Sequence, residues 1–410
     1  MRSYIVGGAV RDRLLGRRGG DVDHVVVGAT PEQMLAAGFR PVGRDFPVFL
    51  HPRTGEEYAL ARTERKVARG YRGFEFHADP SVTLEQDLAR RDLTINAMAL
   101  DRDSGEIVDP FGGRRDLALR VLRHVSDAFA EDPVRILRVA RFAARFHDFT
   151  LAPETLALMR QLVAAGEVDA LVPERVWQEL SRGLMEAHPA RLFEVLRDCG
   201  ALAALLPEVD RLWGARPPAE HPPGRDCGAH LLRALDTAAR LDAPLPVRWA
   251  CVGRDLGSGT APPEERADPV GHEMRSVQLV EAIDRRLKVP ADCHELAVLA
   301  AREHAHVHAS GALGADALLR LLERCDALRR PARFEQLLLA CECDARARAG
   351  FEHQPYPPRE RLRRVLTLAR GIDTAAVAAA VTAASGARPG PAVGAAIRRA
   401  RVQALAAAGY

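Results

Sequence analysis

Through roughly the first 120 residues, short β-branched or alternating apolar runs are interleaved with polar turns, and beyond them the apolar positions recur with a helical period to the end of the chain. Tyr4–Val6, His24–Val27, Val48–His51, Glu57–Ala61 and Ile107–Val108 read as strands. Pro31–Ala37 reads as a short helix, with Thr30 as its N-cap and Gly38 at its end. From about residue 129 the pattern is helical. "EDPVRILRVARFAARF" opens on an acidic N-cap candidate, Asp132, followed by Pro133 at the first helical position. Further helices are predicted at about 153–165, 174–186 and 189–199. The Pro/Gly-rich stretch 214–230 reads as a linker, followed by a histidine-dotted helical region to about 330 and an alanine-rich helical tail. The pattern predicts an α/β head on an all-helical body.

Composition narrows the picture. Hydrophobic content of 47% and charged content of 28% fit a soluble globular protein of two or three domains. No apolar stretch nears the length of a membrane span, and the N-terminus runs into a strand without a secretory segment. The seven cysteines lack C-x-x-C pairs, so they read as reduced thiols of a cytoplasmic protein. A net charge of +3 does not by itself argue for nucleic acid. Arg62, Arg65, Lys66, Arg69 and Arg72, interleaved with Tyr71, Phe74 and Phe76, suit either a phosphate backbone or a solvated loop.

Candidate chemistry concentrates near the N-terminus, in "YIVGGAVRDRLLGRRGGDVDHVVVG". Residues i and i+2 of a strand share a face, so Asp21 and Asp23 place two carboxylates side by side. Their repulsion is relieved by a divalent cation, and hard oxygen ligands suit Mg²⁺. Gly7 and Gly8 suit backbone N–H contacts to an anion at a helix start, within reach of Arg11. A phosphate cradle beside a metal dyad points to metal-assisted phosphoryl or nucleotidyl transfer, and the spacing is not that of a Walker loop. Glu57 is the candidate third carboxylate, and Glu56 replaces it if the register slips by one. Arg135, Arg138 and Arg141 form a stripe among apolar neighbours, and buried guanidinium groups there need anionic or base partners.

"GGAVRDRLLG…DVDHVVVG", "RRDLTINAMA" (90–99) and "EDPVRILRVARF" (131–142), in that order, resemble the motifs of bacterial CCA-adding enzymes. These are tRNA nucleotidyltransferases of the class II branch of the polymerase-β superfamily, and the likeness is to the proteobacterial form with an HD-type domain. The resemblance implies a polymerase-β-like mixed-sheet nucleotidyltransferase head (1–128), a helical neck with a base-selecting helix (129–213), an HD-type helical domain (214–330) and a helical tail (331–410). It implies stepwise addition of C, C and A to a tRNA 3′ end from CTP and ATP with pyrophosphate release, by a cytoplasmic monomer using Mg²⁺. Asp21 and Asp23 would hold the metal. Gly8, Arg11, Arg91, Asp92, Asp132, Arg135, Arg138 and Arg141 would bind nucleotide, with Glu131, Asp132 and Arg135 reading the base.

One departure from that family lies in the C-terminal half. Relatives with an active HD domain carry a His-Asp pair where this chain has Arg254-Asp255, and the aspartate of the last motif corresponds to Ala305. Guanidinium is a permanent cation that cannot ligate a metal. His230, His272, His304 and Asp255 remain as candidates for a second divalent metal, and the accessory phosphodiesterase and phosphatase activities of such relatives are expected to be weakened or lost. The alternative functions are a poly(A) polymerase of the same superfamily and an HD phosphohydrolase of weakened activity.

Overall fold

The computed structural model describes residues 1–17, 22–42, 48–66, 74–77, 79–215, 226–260, 271–385 and 390–410. Two compact units make up the chain: Met1–Glu186 with Arg191–Leu205, and Ala187–Ala190 with Leu206–Tyr410.

The first unit is built on strands β1 (Arg2–Val6), β2 (Asp23–Val27), β3 (Arg40–Val42), β4 (Val48–Leu50), β5 (Glu57–Leu60), β6 (Thr63–Lys66), β7 (Phe74–His77), β8 (Ala99–Asp101), β9 (Ile107–Val108), β10 (Val121–Leu122) and β11 (Thr150–Leu151). Seven of them form a mixed sheet in the order β3-β4-β5-β2-β1-β8-β9. Only β2 and β5 run parallel within it, with His24 beside Tyr58. The other neighbours are antiparallel, and Val6 lies opposite Asp23. Helices α1 (Gly8–Leu14), α2 (Pro31–Ala36), α3 (Leu84–Ala89), α4 (Gly113–Leu119), α5 (Val134–Arg145), α6 (Pro153–Ala164), α7 (Pro173–Leu184), α8 (Ala190–Asp198) and α9 (Ala201–Leu205) follow or interrupt the strands.

Both faces of the sheet are buried. Tyr4, Val6 and Val25 pack with Leu88 of α3 on one face, whereas Val26, Tyr58 and Leu60 pack with Met34 of α2 on the other. That is why β2 reads as a continuous apolar run rather than an alternation. α2 begins as expected, with Thr30 and Gln33 forming a reciprocal capping box.

The second unit is helical: α10 (Pro207–Asp210), α11 (Cys227–Arg240), α12 (Leu245–Gly253), α13 (His272–Leu287), α14 (Ala291–His308), α15 (Ala315–Arg324), α16 (Pro331–Arg346), α17 (Pro357–Arg370), α18 (Thr374–Ser385) and α19 (Pro391–Ala407). The segment read as a linker ends earlier than expected. Asp226 caps α11 by accepting from the Ala229 N–H, so residues 227–230 are already helical. All seven cysteines are buried free thiols. Among the described residues no single helix is long and apolar enough to cross a membrane.

Candidate nucleotidyl-transfer site

The site assembles where β1 ends. Gly7 has φ 70° and ψ −133°, a conformation that any side chain would strain. A Cβ on Gly7 would stand 3.1 Å from Arg91 Nη1, and one on Gly8 would stand 3.3 Å from Arg11 Nη2. The glycine pair therefore lets two guanidinium groups close on the backbone at the start of α1. Asp23, exposed at the start of β2, is the register partner of Val6 and so comes up beside this turn. Asp21 lies outside the described residues.

The parallel pairing of β2 with β5 distinguishes the two glutamates. With His24 beside Tyr58, one step back brings Glu57 opposite Asp23 on the same face. Glu56 turns to the other face, where its Oε2 accepts from Thr54 Oγ1 at 2.9 Å and lies 3.7 Å from His24 Nε2. Asp23 and Glu57 thus supply hard oxygen donors at the N-terminal ends of two neighbouring interior strands, a donor set that fits a divalent cation.

The predicted arginines and aspartates are brought into one network. Arg11 is buried, stacks over the Phe142 and Phe146 rings, and donates to Asp12 and to Asn96 Oδ1 at 2.5 Å. Burial pushes its pKa down, against the pull of Asp12. Asn96 Nδ2 donates in turn to Asp92 Oδ1 at 3.0 Å. Asp92 is 5% exposed, and Arg138 Nε donates to its Oδ2 at 2.8 Å. Burial alone would raise Asp92, but Arg138, Asn96 and the Leu93 N–H hold it at about 2. Arg141 Nε donates to Glu179 Oε2 at 2.6 Å, and Arg145 Nη2 to Asp12 Oδ2 at 3.0 Å. The arginine stripe of α5 is hemmed in by apolar neighbours as expected, and this chain's own carboxylates meet it.

Arg91 differs from these. One of its nitrogens bonds Asp87 Oδ2 at 3.2 Å, but its Nε is buried without a hydrogen-bond partner among the described residues, beside the Gly7 turn. A buried donor left without an acceptor marks a position where an anionic oxygen is stabilised.

Of the three residues expected to read a base, Asp132 and Arg135 sit at the start of α5, and Glu131 ends the short helical turn just before them. The helix begins one residue later than expected, at Val134 with Pro133 as its N-cap, and Asp132 still reaches it by accepting the Val134 N–H at 3.2 Å. Its carboxylate also receives a two-pronged contact from Arg175 of α7, Nη1 to Oδ1 at 3.1 Å and Nη2 to Oδ2 at 2.7 Å. Arg135 is buried and donates to the Ala128 and Arg90 carbonyls, which ties α5 to the segment that carries Arg91 and Asp92. Sequence reading missed Asp12, Asp87, Asn96, Arg145, Arg175 and Glu179. Arg175 and Glu179 both come from the segment "PERVWQEL" that opens α7.

In the second unit, the candidates Asp255, His272 and His304 come together, with donor atoms within 4.8 Å of one another. The fourth candidate, His230, lies against Asp344 of α16, a carboxylate the sequence did not single out, which also faces His308 and Arg254. Arg65, Lys66, Phe74 and Phe76 lie on the paired strands β6 and β7, whereas Arg69, Tyr71 and Arg72 lie outside the described residues.

Residues 3–123 match the model of the Poly A polymerase head domain, and residues 148–212 match that of the probable RNA and SrmB-binding site of polymerase A. With the mixed sheet and the paired carboxylates at its strand ends, this defines the head as a nucleotidyltransferase. Similar over nearly the whole length are the multifunctional CCA proteins of Variovorax paradoxus, 64% identical over 99% of each chain, and of Leptothrix cholodnii, 66% identical over 99% of this chain and 96% of that one. The fold resembles the Bacillus stearothermophilus CCA-adding enzyme in complex with CTP, with TM-score 0.64, 25% identity, and coverage of 99% of this chain and 89% of that one. It also resembles the Thermotoga maritima CCA-adding enzyme complexed with tRNA, with TM-score 0.59, 22% identity, and coverage of 98% and 87%. The chain belongs to the multifunctional CCA protein family.

Proposed function

We infer that this protein adds C, C and A in turn to the 3′ end of tRNA, taking CTP and ATP in the cytoplasm and releasing pyrophosphate at each step. The observation that carries the reading is the convergence, at the end of β1, of Asp23, the Gly7 turn and the buried Arg91 Nε, in a chain at least 64% identical over 99% of its length to two multifunctional CCA proteins. Asp23 and Asp21, with Glu57 beside Asp23, would hold Mg²⁺, which when bound neutralises the triphosphate and lowers the pKa of the attacking 3′-hydroxyl. Gly8, Arg11 and Arg91 line the position of the triphosphate. Asp92, kept ionised by Arg138, suits a ribose hydroxyl. Asp132 offers acceptors and Arg135 donors to a base edge, with Arg138 and Arg141 completing the nucleotide's surroundings, so the protein takes the place of a template. C and A match such an edge, and a base that leaves its groups unpaired is rejected. The domain division expected from the sequence goes with this reading: head, base-selecting neck, HD-type domain and tail acting as one tRNA-binding monomer.

The test is addition to tRNA lacking its terminal CCA. C must be incorporated before A, and Asp23→Ala must abolish addition while leaving tRNA binding nearly intact. Long A tails on any primer would instead identify a poly(A) polymerase.

A further inference from the structure

Asp87 of α3 is fully buried, at 0% exposure, and the nucleotide contacts proposed above leave it without a role. A carboxylate taken out of water must be paired and hydrogen-bonded to stay ionised. Asp87 meets that demand with two guanidinium groups and a backbone amide. Arg90 donates to Oδ1 through Nε at 3.1 Å and Nη2 at 2.7 Å, and Arg91 Nη2 donates to Oδ2 at 3.2 Å. Oδ1 also accepts the Arg62 N–H at 3.3 Å, where the chain enters β6. Burial by itself would raise the Asp87 pKa, but Arg90 and Arg91 hold it below the usual carboxylate range. The group is therefore an anion at neutral pH.

The two oxygens face different neighbours. On the Oδ1 side, Arg90 Nε also donates to the Arg62 carbonyl at 3.0 Å, which closes the end of α3 onto the segment entering β6. The Arg90 carbonyl receives Arg135 Nη2 at 2.6 Å, and the Ala89 carbonyl receives Ser126 Oγ at 2.7 Å. The end of α3 is thus fixed from three directions. On the Oδ2 side lies Arg91, whose Nη1 is the atom nearest a Cβ built on Gly7. Arginine has much rotamer freedom to lose, and a guanidinium already held in place loses less of it when an anion arrives.

We propose that Asp87 is a positioning residue for nucleotide binding: its carboxylate holds the Arg91 guanidinium beside the Gly7 turn, in place for a triphosphate before the nucleotide arrives. This rests on the reading that Arg91 meets the triphosphate. Asp87 touches no nucleotide itself. It acts through Arg91, and its effect falls on the phosphates rather than on the base.

The test is equilibrium binding of CTP and of CMP, each with Mg²⁺, to the full-length protein without tRNA. The two nucleotides share base and ribose, and CTP alone carries β- and γ-phosphates. Asp87→Asn keeps the shape of the side chain and removes its charge. It is expected to weaken CTP about 10-fold, the cost of ordering one long side chain, and to leave CMP within about 2-fold. Unchanged CTP binding in a folded Asp87→Asn protein overturns the proposal. Equal weakening of CTP and CMP also overturns it, because Asp87 would then support the fold alone. Should Asp87→Asn unfold, combining it with Arg90→Gln removes both charges of the buried pair, and that protein is held to the same outcomes. Arg91→Met tests the triphosphate reading itself. It is expected to weaken CTP over CMP, and adding Asp87→Asn to it should bring no further loss. Additive losses overturn the role of Asp87 and leave that of Arg91 standing. An Arg91→Met protein that binds CTP like the parent overturns both.

Discussion

Arg175 offers the sharpest test of how the base is chosen. In the folded protein its guanidinium grips both oxygens of Asp132, which among the described residues otherwise accepts the Val134 N–H on Oδ1. Replacing Arg175 with methionine preserves most of the packing and frees the carboxylate to turn. A hydrogen bond to a charged group contributes about 1.5–3 kcal/mol. Asp132 and Arg175 are partly exposed, with side-chain exposures of 18% and 27%, so screening places the value near the lower end. Since about 1.4 kcal/mol is a factor of ten, the kcat/KM ratio for CTP over UTP should fall roughly 10-fold in Arg175→Met. Arg175→Lys should recover little of it, because an ammonium cannot hold both oxygens in one plane. The assay is single-nucleotide addition to tRNA lacking CCA, with CTP, ATP, UTP and GTP compared separately. An unchanged ratio in a variant that melts like the parent would refute the reasoning. A rate loss shared equally by all four nucleotides would also refute it, since Arg175 would then support the fold without positioning Asp132.

Other expectations follow from the same network. Arg138→Met leaves Asp92 buried without its main partner, which should cost about 3 kcal/mol or more at pH 7, read by urea denaturation. The depressed Asp92 pKa stabilises the fold above the ordinary value of 3.8, and that contribution, about 2 kcal/mol, is lost as pH falls toward about 2. The gap between parent and variant should therefore narrow on acidification, and a gap independent of pH would count against the pair. Glu57→Gln should reduce nucleotide addition sharply while Glu56→Gln leaves it near the parental rate, because the two side chains lie on opposite sheet faces. Gly7→Ala should destabilise by about 1–3 kcal/mol and slow addition, since it strains the backbone and pushes Arg91 away, and thermal melting together with KM for CTP would detect both effects.

What the sequence disclosed and what it hid divide along the distance between interacting residues. Asp23, the Gly7-Gly8 turn, the Thr30 cap and the α5 stripe are local patterns, in which backbone geometry over a few residues dictates which side chains share a face. The long-range partners carry no such mark: Asp12 meets Arg145 across 133 positions, Asp92 meets Arg138 across 46, and Arg141 meets Glu179 across 38. The need for anions beside the arginine stripe could be argued from burial alone. Their identity could not, because any of the 55 acidic residues might have met it. The same limit hid Asp344, since only the packing of α14 and α16 brings it beside His308. Strands β3, β6, β7 and β8 escaped notice for a different reason. Each has three or four residues; β3, β6 and β8 carry arginine, proline or alanine where a β-branched alternation would advertise a strand, and β7, Phe-Glu-Phe-His, is too short for its alternation to stand out. Arg254 combines both cases. Its incompatibility with metal ligation is plain from the guanidinium itself, but that it meets Asp344 as well as Asp255 emerges only when α12 and α16 pack.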